Sequence, residues 1–185
     1  IVVTAHPEAS KAGYEVLAKG GNAIVAMVAV QTVLGLVEPQ SSGLGGGAFL
    51  VYYDATKQEI TTFDGRETAP ALAPNDLFLK PDISPMQFFD AVVGGRSVGT
   101  PGTVKLLSEL HKSLGSQEWS SLLAPAIALA SNGFTVSPRL ANAIVNDEKN
   151  LRNDPTAYDY FFPNNSPLVV GHQLRNPEYA STLSA

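Results

Sequence analysis

Apolar and polar residues are distributed along this chain in distinct patterns, and each pattern predicts a different element. After Pro7 the apolar positions Ala9, Ala12, Val16 and Leu17 recur at the spacing of an amphipathic surface helix. Pro7 suits a first helical position, and Glu8 complements the partial positive charge of the helix N-terminus. Gly20-Gly21 stops this helix and Asn22 is placed to cap the next. Ala23–Val37 is then apolar all round, so it must be covered on every side. It contains Gln31, Thr32 and Gly35 and falls short of the roughly 20 apolar residues of a bilayer span. The pattern predicts a buried central helix that ends before Pro39. Such a helix needs protein above and below it, which points to a multi-layer α/β architecture.

Phe49–Tyr53 reads as a buried strand, Asp54–Lys57 as its turn and Glu59–Phe63 as the antiparallel return. The link before them, Pro39 to Phe49, carries Gly43, Gly45, Gly46 and Gly47. These glycines are expected to permit positive φ angles and a close approach to other backbone. After the Asp64-Gly65-Arg66-Glu67 turn, residues 64–100 mix Pro, Asp and Gly and read as loop, with one apolar run at Phe88–Val93. Pro101-Gly102-Thr103 opens a helix through His111, with Leu106, Leu107 and Leu110 as a narrow apolar seam. Trp119–Ala130 is a further apolar helix, broken at Pro125 and ended by Asn132-Gly133. Ser137-Pro138 opens one that runs to about Leu151. Asp154–Val170 is predicted as loop, with Tyr158, Tyr160, Phe161 and Phe162 packed as a satellite cluster. Asn176-Pro177-Glu178 opens a last helix, whose pattern is cut at Ala185, as expected of a fragment or of one chain of a larger unit.

Composition narrows the function classes. The 185 residues are 44% hydrophobic and 16% charged, enough for one folded domain with its own core. The net charge is −5, the basic residues are not clustered, and no nucleic-acid surface is expected. With no cysteine, disulfides and thiol chemistry are excluded. The chain opens on Ile1-Val2-Val3-Thr4 without a signal-peptide pattern, so a leader is either missing or removed.

Several short patterns invite chemical readings. Gly43-Leu44-Gly45-Gly46-Gly47-Ala48 satisfies the dinucleotide fingerprint, but that motif lies between a strand and a helix in that order. Here the order is reversed, and glycines serving tight packing at a strand entrance are the better reading. Gly95-Arg96-Ser97-Val98-Gly99 satisfies the nucleophile-elbow pattern, with Phe88–Val93 as the strand before it. Ser97, then Asp147 or Asp154, then His172 follows the α/β-hydrolase order. The delayed helix after Gly99-Thr100-Pro101-Gly102 and the shortage of strands count against it. His6, His111 and His172 have no metal-ligand spacing, so no metal or other cofactor is expected. His111 reads as a favourable partner of a helix C-terminus. Arg66 has two readings: a surface pair with Asp64 or Glu67, or a guanidinium held on fixed backbone before Ala69-Pro70 to grip a carboxylate bidentately. The residues alone leave both open.

Taken in order, Gly20-Gly21-Asn22-Ala23, Glu38-Pro39-Gln40-Ser41-Ser42-Gly43-Leu44-Gly45-Gly46-Gly47, Asp64-Gly65-Arg66-Glu67-Thr68-Ala69-Pro70 and Val98-Gly99-Thr100-Pro101-Gly102-Thr103 resemble the large-subunit portion of the γ-glutamyltranspeptidases. Ala124-Pro125-Ala126 and Asn132-Gly133-Phe134 extend the likeness over nearly the whole chain. Val25 departs from it, at a position where the family usually has Asp. The resemblance implies an N-terminal-nucleophile hydrolase αββα sandwich of the α/β (α+β) class, completed by a second, small-subunit chain of the same precursor. Residues 1–185 would form a single domain, the N-terminal part of the large subunit. The nucleophilic threonine would begin the partner chain, so no catalytic residue is expected here, and Arg66 would bind the α-carboxylate of a small γ-glutamyl substrate. The implied reaction carries a γ-glutamyl group from glutathione or another γ-glutamyl amide to water or an amino acid. The alternatives are a related amidase, such as a cephalosporin acylase or poly-γ-glutamate depolymerase, or a non-catalytic homologue. The resemblance also implies an extracytoplasmic location, periplasmic or secreted.

Overall fold

The computed structural model describes all 185 residues, which gather into two compact units. The first comprises residues 1–44 and 107–185, and the second residues 45–106.

The first unit is helical. Helix α1 (Pro7–Ala18) buries Ala9, Ala12 and Val16, as its spacing predicts, and His6 caps it by accepting from the Glu8 N–H at 3.2 Å through Nδ1. Helix α2 (Ala23–Val37) starts where the Asn22 side-chain oxygen accepts from the N–H groups of Ile24 and Val25, both at 3.1 Å. Val25 is fully buried among apolar side chains, so the environment of this helix suits valine there. Thr32, polar yet buried, turns its hydroxyl back onto the Val28 and Ala29 carbonyls and so carries no unpaired donor into the core. Helix α4 (Thr103–Leu114), whose first four residues belong to the second unit, buries Leu106, Leu107 and Leu110 and runs past His111 to Leu114. His111 is bound more specifically than a dipole partner, because its Nε2 lies 2.7 Å from the Gln117 carbonyl and its ring meets Trp119 edge-on.

Helix α5 (Trp119–Asn132) passes through Pro125 without interruption, packs on α2, and stops at Gly133, which has φ 104°. The predicted helix to Leu151 is two helices, α6 (Pro138–Asn146) and α7 (Glu148–Leu151), divided at Asp147. The stretch predicted as loop after Asp154 instead forms helix α8 (Pro155–Phe161). Asp154 and Pro155 supply a start that the aromatic residues after them obscure: the Asp154 carboxylate accepts from the Ala157 N–H at 2.9 Å. The aromatic cluster is no satellite, since Phe162 is fully buried in the main core with Tyr158 stacked on it. Helix α9 (Pro177–Ser184) packs on α5, and its Tyr179 hydroxyl donates to the Thr32 carbonyl of α2 at 2.8 Å. Gly35 makes room for it, because a Cβ there would lie 2.6 Å from that hydroxyl.

The second unit is built on a hairpin. Strands β1 (Ala48–Asp54) and β2 (Glu59–Gly65) pair antiparallel from Ala48↔Gly65 to Asp54↔Glu59. The turn is set by the Asp54 carboxylate, which accepts from the N–H groups of Thr56 and Lys57. The expectation of a buried β1 does not hold in this chain: Phe49, Val51 and Tyr53 are exposed, because no layer of this chain covers that face. A second pair, β3 (Phe134–Thr135) with β4 (Gln173–Leu174), belongs to the helical unit and is too short to leave a sequence pattern. No helix is long and apolar enough to cross a membrane.

Burial raises the Tyr179 hydroxyl to about 12, and burial chiefly does the same for Tyr160. Both folded values lie above the ordinary value of 10, so the stability tied to the neutral phenols is full below pH 10 and is lost as the pH rises toward 12. Stability is therefore expected to fall between pH 10 and 12, and Tyr179→Phe to flatten that fall, as followed by urea midpoints across the alkaline range.

Candidate functional site

The second unit brings together three of the stretches that the sequence singles out. Gly46 and Gly47 enter β1, Gly65 to Thr68 leave β2, and Gly99 to Thr103 lead into α4. Their backbones are tied directly. The Gly46 carbonyl accepts from the N–H groups of Gly102 and Thr103, at 3.0 and 3.1 Å. Thr68 and Thr100 exchange both bonds, at 3.3 and 2.8 Å.

Arg66 sits in the middle of this arrangement. A Cβ on Gly47 would stand 2.8 Å from the Arg66 Cα and collide with the Glu67 carboxylate. One on Gly102 would overlap the Gly65 carbonyl and lie 3.0 Å from that of Arg66. Two glycines thus hold the backbone at Arg66 from two directions, and the Asp64 carboxylate accepts its N–H at 2.9 Å. The side chain is free where the backbone is not. It is 64% exposed, and Nε lies 3.7 Å from the Glu67 carboxylate, a long contact of the kind that contributes little at a surface. Arg66 is thus loosely paired with Glu67 at the surface, on a backbone that its neighbours hold in place.

The glycines before this point act differently from the expectation. Gly43, Gly45, Gly46 and Gly47 all avoid positive φ, and only at Gly47 would an added Cβ meet other atoms of this chain. The dinucleotide fingerprint fails as its element order predicts, with α2 before it and β1 after it. The nucleophile elbow fails too. Phe88–Val92 is a short helix, α3, and Ser97 lies in a single turn of 3₁₀ helix, its hydroxyl donating to the Val92 carbonyl at 2.7 Å. Asp147 accepts from the Asn150 amide, and Asp154 is a helix cap. No three His, Asp or Glu residues stand together in a way that could hold a metal ion.

One arrangement was not legible in the sequence. Glu38, at the C-terminal end of α2, has a side chain only 2% exposed. It pairs with Arg139 Nε at 3.1 Å and accepts from the Gln40 amide at 2.7 Å. Arg139 also donates to the Ser41 hydroxyl at 2.9 Å, and the Glu38 carbonyl accepts from the N–H groups of Ser41 and Ser42. The stretch Glu38–Ser42 is thereby wound around one buried carboxylate. The only sequence signal is a charged residue directly before Pro39, which ordinarily reads as surface.

The γ-glutamyltranspeptidase family model matches residues 9–185. The chain belongs to the γ-glutamyltranspeptidase family. It is 42% identical over 182 residues to the glutathione hydrolase proenzyme of Bacillus subtilis, covering 98% of this chain and 31% of that protein. Among solved structures, the Helicobacter pylori γ-glutamyltranspeptidase superposes with a TM-score of 0.94 at 32% identity, covering 100% of this chain and 52% of that one. A cephalosporin acylase from Bacillus halodurans superposes with a TM-score of 0.80 at 28% identity, covering 97% of this chain and 34% of that one. The chain thus spans about a third of the curated relative and half of the solved γ-glutamyltranspeptidase chain. The expected fold is borne out: mixed helix and sheet with the architecture of these N-terminal-nucleophile hydrolases.

Because the atoms facing Gly102 are backbone, they cannot yield as a flexible side chain would. Gly102→Ala is expected to lower stability by about 1–3 kcal/mol, the range of an overpacked interior, read from the urea midpoint of the complete protein.

Proposed function

We propose that this chain is part of the large subunit of a γ-glutamyl transferase/hydrolase, and that Arg66 grips the α-carboxylate of the γ-glutamyl donor. The observation that carries this reading is the contrast at Arg66, where the backbone is clamped by Gly47 and Gly102 while the guanidinium is solvent-accessible and held only by a long contact to Glu67. A planar fork on rigid backbone suits a carboxylate arriving from solution. It gains little from the Glu67 contact, so little is lost when substrate displaces it.

The chemistry is acyl transfer through a covalent ester. The hydroxyl of a threonine at the start of a second chain of the same precursor attacks the γ-amide carbonyl of glutathione or another γ-glutamyl amide. The α-amine of that threonine takes the hydroxyl proton. The C–N bond breaks, the amine leaves carrying the proton, and a γ-glutamyl ester remains. Water or an amino acid then attacks the ester and frees the threonine. The role of Arg66 is positioning: holding the α-end places the γ-carbonyl in reach of the nucleophile and turns a loose encounter into a near-attack geometry. The uncovered outer face of β1 supports the two-chain reading, since an apolar sheet face of this kind is ordinarily packed on a second layer. The enzyme works outside the cytoplasm, in the periplasm or secreted, as the family likeness implies.

The likeness to a cephalosporin acylase favours a second reading, hydrolysis of another amide on the same fold. A donor panel that compares γ-glutamyl amides with acyl side chains lacking the α-carboxylate separates the two. A Thr-initiated second chain in the purified protein excludes a non-catalytic homologue.

Arg66→Lys in the complete enzyme is expected to lower kcat/KM for a γ-glutamyl donor at least about tenfold. A point charge cannot reproduce the fork, and removing one partner of such a pair costs about 2–5 kcal/mol. Steady-state kinetics with donors that retain and lack the α-carboxylate make the check, and unchanged values with the former remove Arg66 from the site.

A further inference from the structure

Strand β2 hands the chain on to Arg66 through Asp64 and Gly65. Asp64 faces Phe49 across the hairpin, and the ladder ends one step later at Ala48↔Gly65. Arg66 is therefore the first residue with no strand partner for its N–H. The Asp64 carboxylate takes that N–H instead, at 2.9 Å and from two residues back. Such a bond closes an Asx turn, a ring that stands in for a main-chain hydrogen bond.

The ring spans Gly65, which is the weak point of this scaffold. A Cβ there would lie 2.7 Å from Cβ of Leu106 and 2.8 Å from its Cδ2, so packing asks for glycine. Glycine is also the residue with the widest freedom of φ and ψ. A hinge of that kind directly before Arg66 would swing its whole side chain. The guanidinium cannot correct the swing, because its only ion pair is the long one to Glu67. Gly47 and Gly102 limit where this backbone can lie, and the Thr68–Thr100 pair fixes it two residues on. The Asp64 bond is the one that closes over Gly65 itself. Asp54 makes a turn of the same kind at the far end of the hairpin, accepting from the N–H groups of Thr56 and Lys57. That turn carries no side chain assigned to the substrate. It separates the cost of losing an Asx turn from the cost of misdirecting Arg66.

We propose that Asp64 is a positioning residue for the γ-glutamyl donor: by holding the Arg66 N–H it sets the direction from which the guanidinium meets the α-carboxylate. The work is done by an acceptor oxygen and not by the negative charge. The proposal rests on the reading of Arg66 as the carboxylate grip, and adds the group that aims the fork. A displacement of about 1 Å at a positioning group is enough to slow a reaction severely, so a loosened Gly65 lowers kcat as well as raising KM.

The test compares Asp64→Asn, Asp64→Glu, Asp64→Ala, Asp54→Ala and Arg66→Lys in the complete two-chain enzyme. Steady-state kinetics with one γ-glutamyl donor are measured for each, together with a urea midpoint. Asparagine keeps the acceptor oxygen without the charge; glutamate keeps the charge, but its extra methylene carries the oxygen out of the ring. Asp64→Ala and Asp64→Glu are expected to lower kcat/KM at least about threefold, the scale of one hydrogen bond, with Asp64→Asn within about twofold of wild type. Asp54→Ala is expected to move the urea midpoint and leave the kinetics unchanged. In the Arg66→Lys background Asp64→Ala costs less than in the wild type, because it acts through a fork that is no longer there. Wild-type kinetics in Asp64→Ala overturn the proposal, as does Asp64→Asn behaving like Asp64→Ala. An equal kinetic loss in Asp54→Ala, or an undiminished loss in the Arg66→Lys background, also overturns it. Failure of every Asp64 variant to mature assigns the residue to folding and overturns it too; where Asp64→Ala alone fails, the contrast of Asn with Glu decides. Unchanged kinetics in Arg66→Lys alone bring down the reading of Arg66, a result separate from any at Asp64.

Discussion

The contact on which the second unit depends is that of backbone against backbone around Arg66. Gly47 and Gly102 are glycines because carbonyl, Cα and carboxylate atoms occupy the space a Cβ would need. Their approach lets the Gly46 carbonyl collect two N–H donors and lets Thr68 and Thr100 exchange a pair of bonds. Close packing of main chain is stiffer than packing of side chains, because no rotamer change can absorb a displacement. The consequence is a division of labour within one residue: the backbone of Arg66 belongs to the scaffold and its guanidinium to the solvent.

Much of the helical unit is legible in the sequence because its signals are local. Pro7, Asn22, Ser137 and Asn176 mark helix starts, and each start is where a capping side chain or the proline beside it predicts. The all-round apolar pattern of Ala23–Val37 likewise gives a helix buried along most of its length. Where local signals compete, the reading fails. Asp154-Pro155 is a sound helix start, yet the aromatic residues after it and the following Pro163-Asn164-Asn165 read as loop. The missed pair β3 and β4 joins residues about 40 positions apart, and no pattern within two-residue strands carries that information.

The site divides the same way. The grouping of Gly47, Arg66 and Gly102 is foreshadowed by the ordered motifs, but which glycine touches which carbonyl is a tertiary fact. The link before β1 shows the limit of reading glycine by type: the conformations of Gly43, Gly45 and Gly46 are open to other residues, and their bareness answers to nothing within this chain. The exposed face of β1 is a failure of another sort. The pattern of Phe49–Tyr53 records an apolar surface, but not that every second side chain of it, Phe49, Val51 and Tyr53, is left uncovered by this chain.

The Glu38–Arg139 pair constrains how the sequence can drift. The carboxylate is buried at the negative end of a helix, while its cationic partner is 59% exposed. The two changes that dissolve the pair are therefore not equivalent in order. Losing the arginine first strands a charge in the interior, at a cost of up to about 3–5 kcal/mol, whereas neutralising the glutamate first leaves the arginine hydrated. Mutational paths away from this pair are expected to run through position 38 before position 139, a one-way gate set by the unequal burial of its two ends.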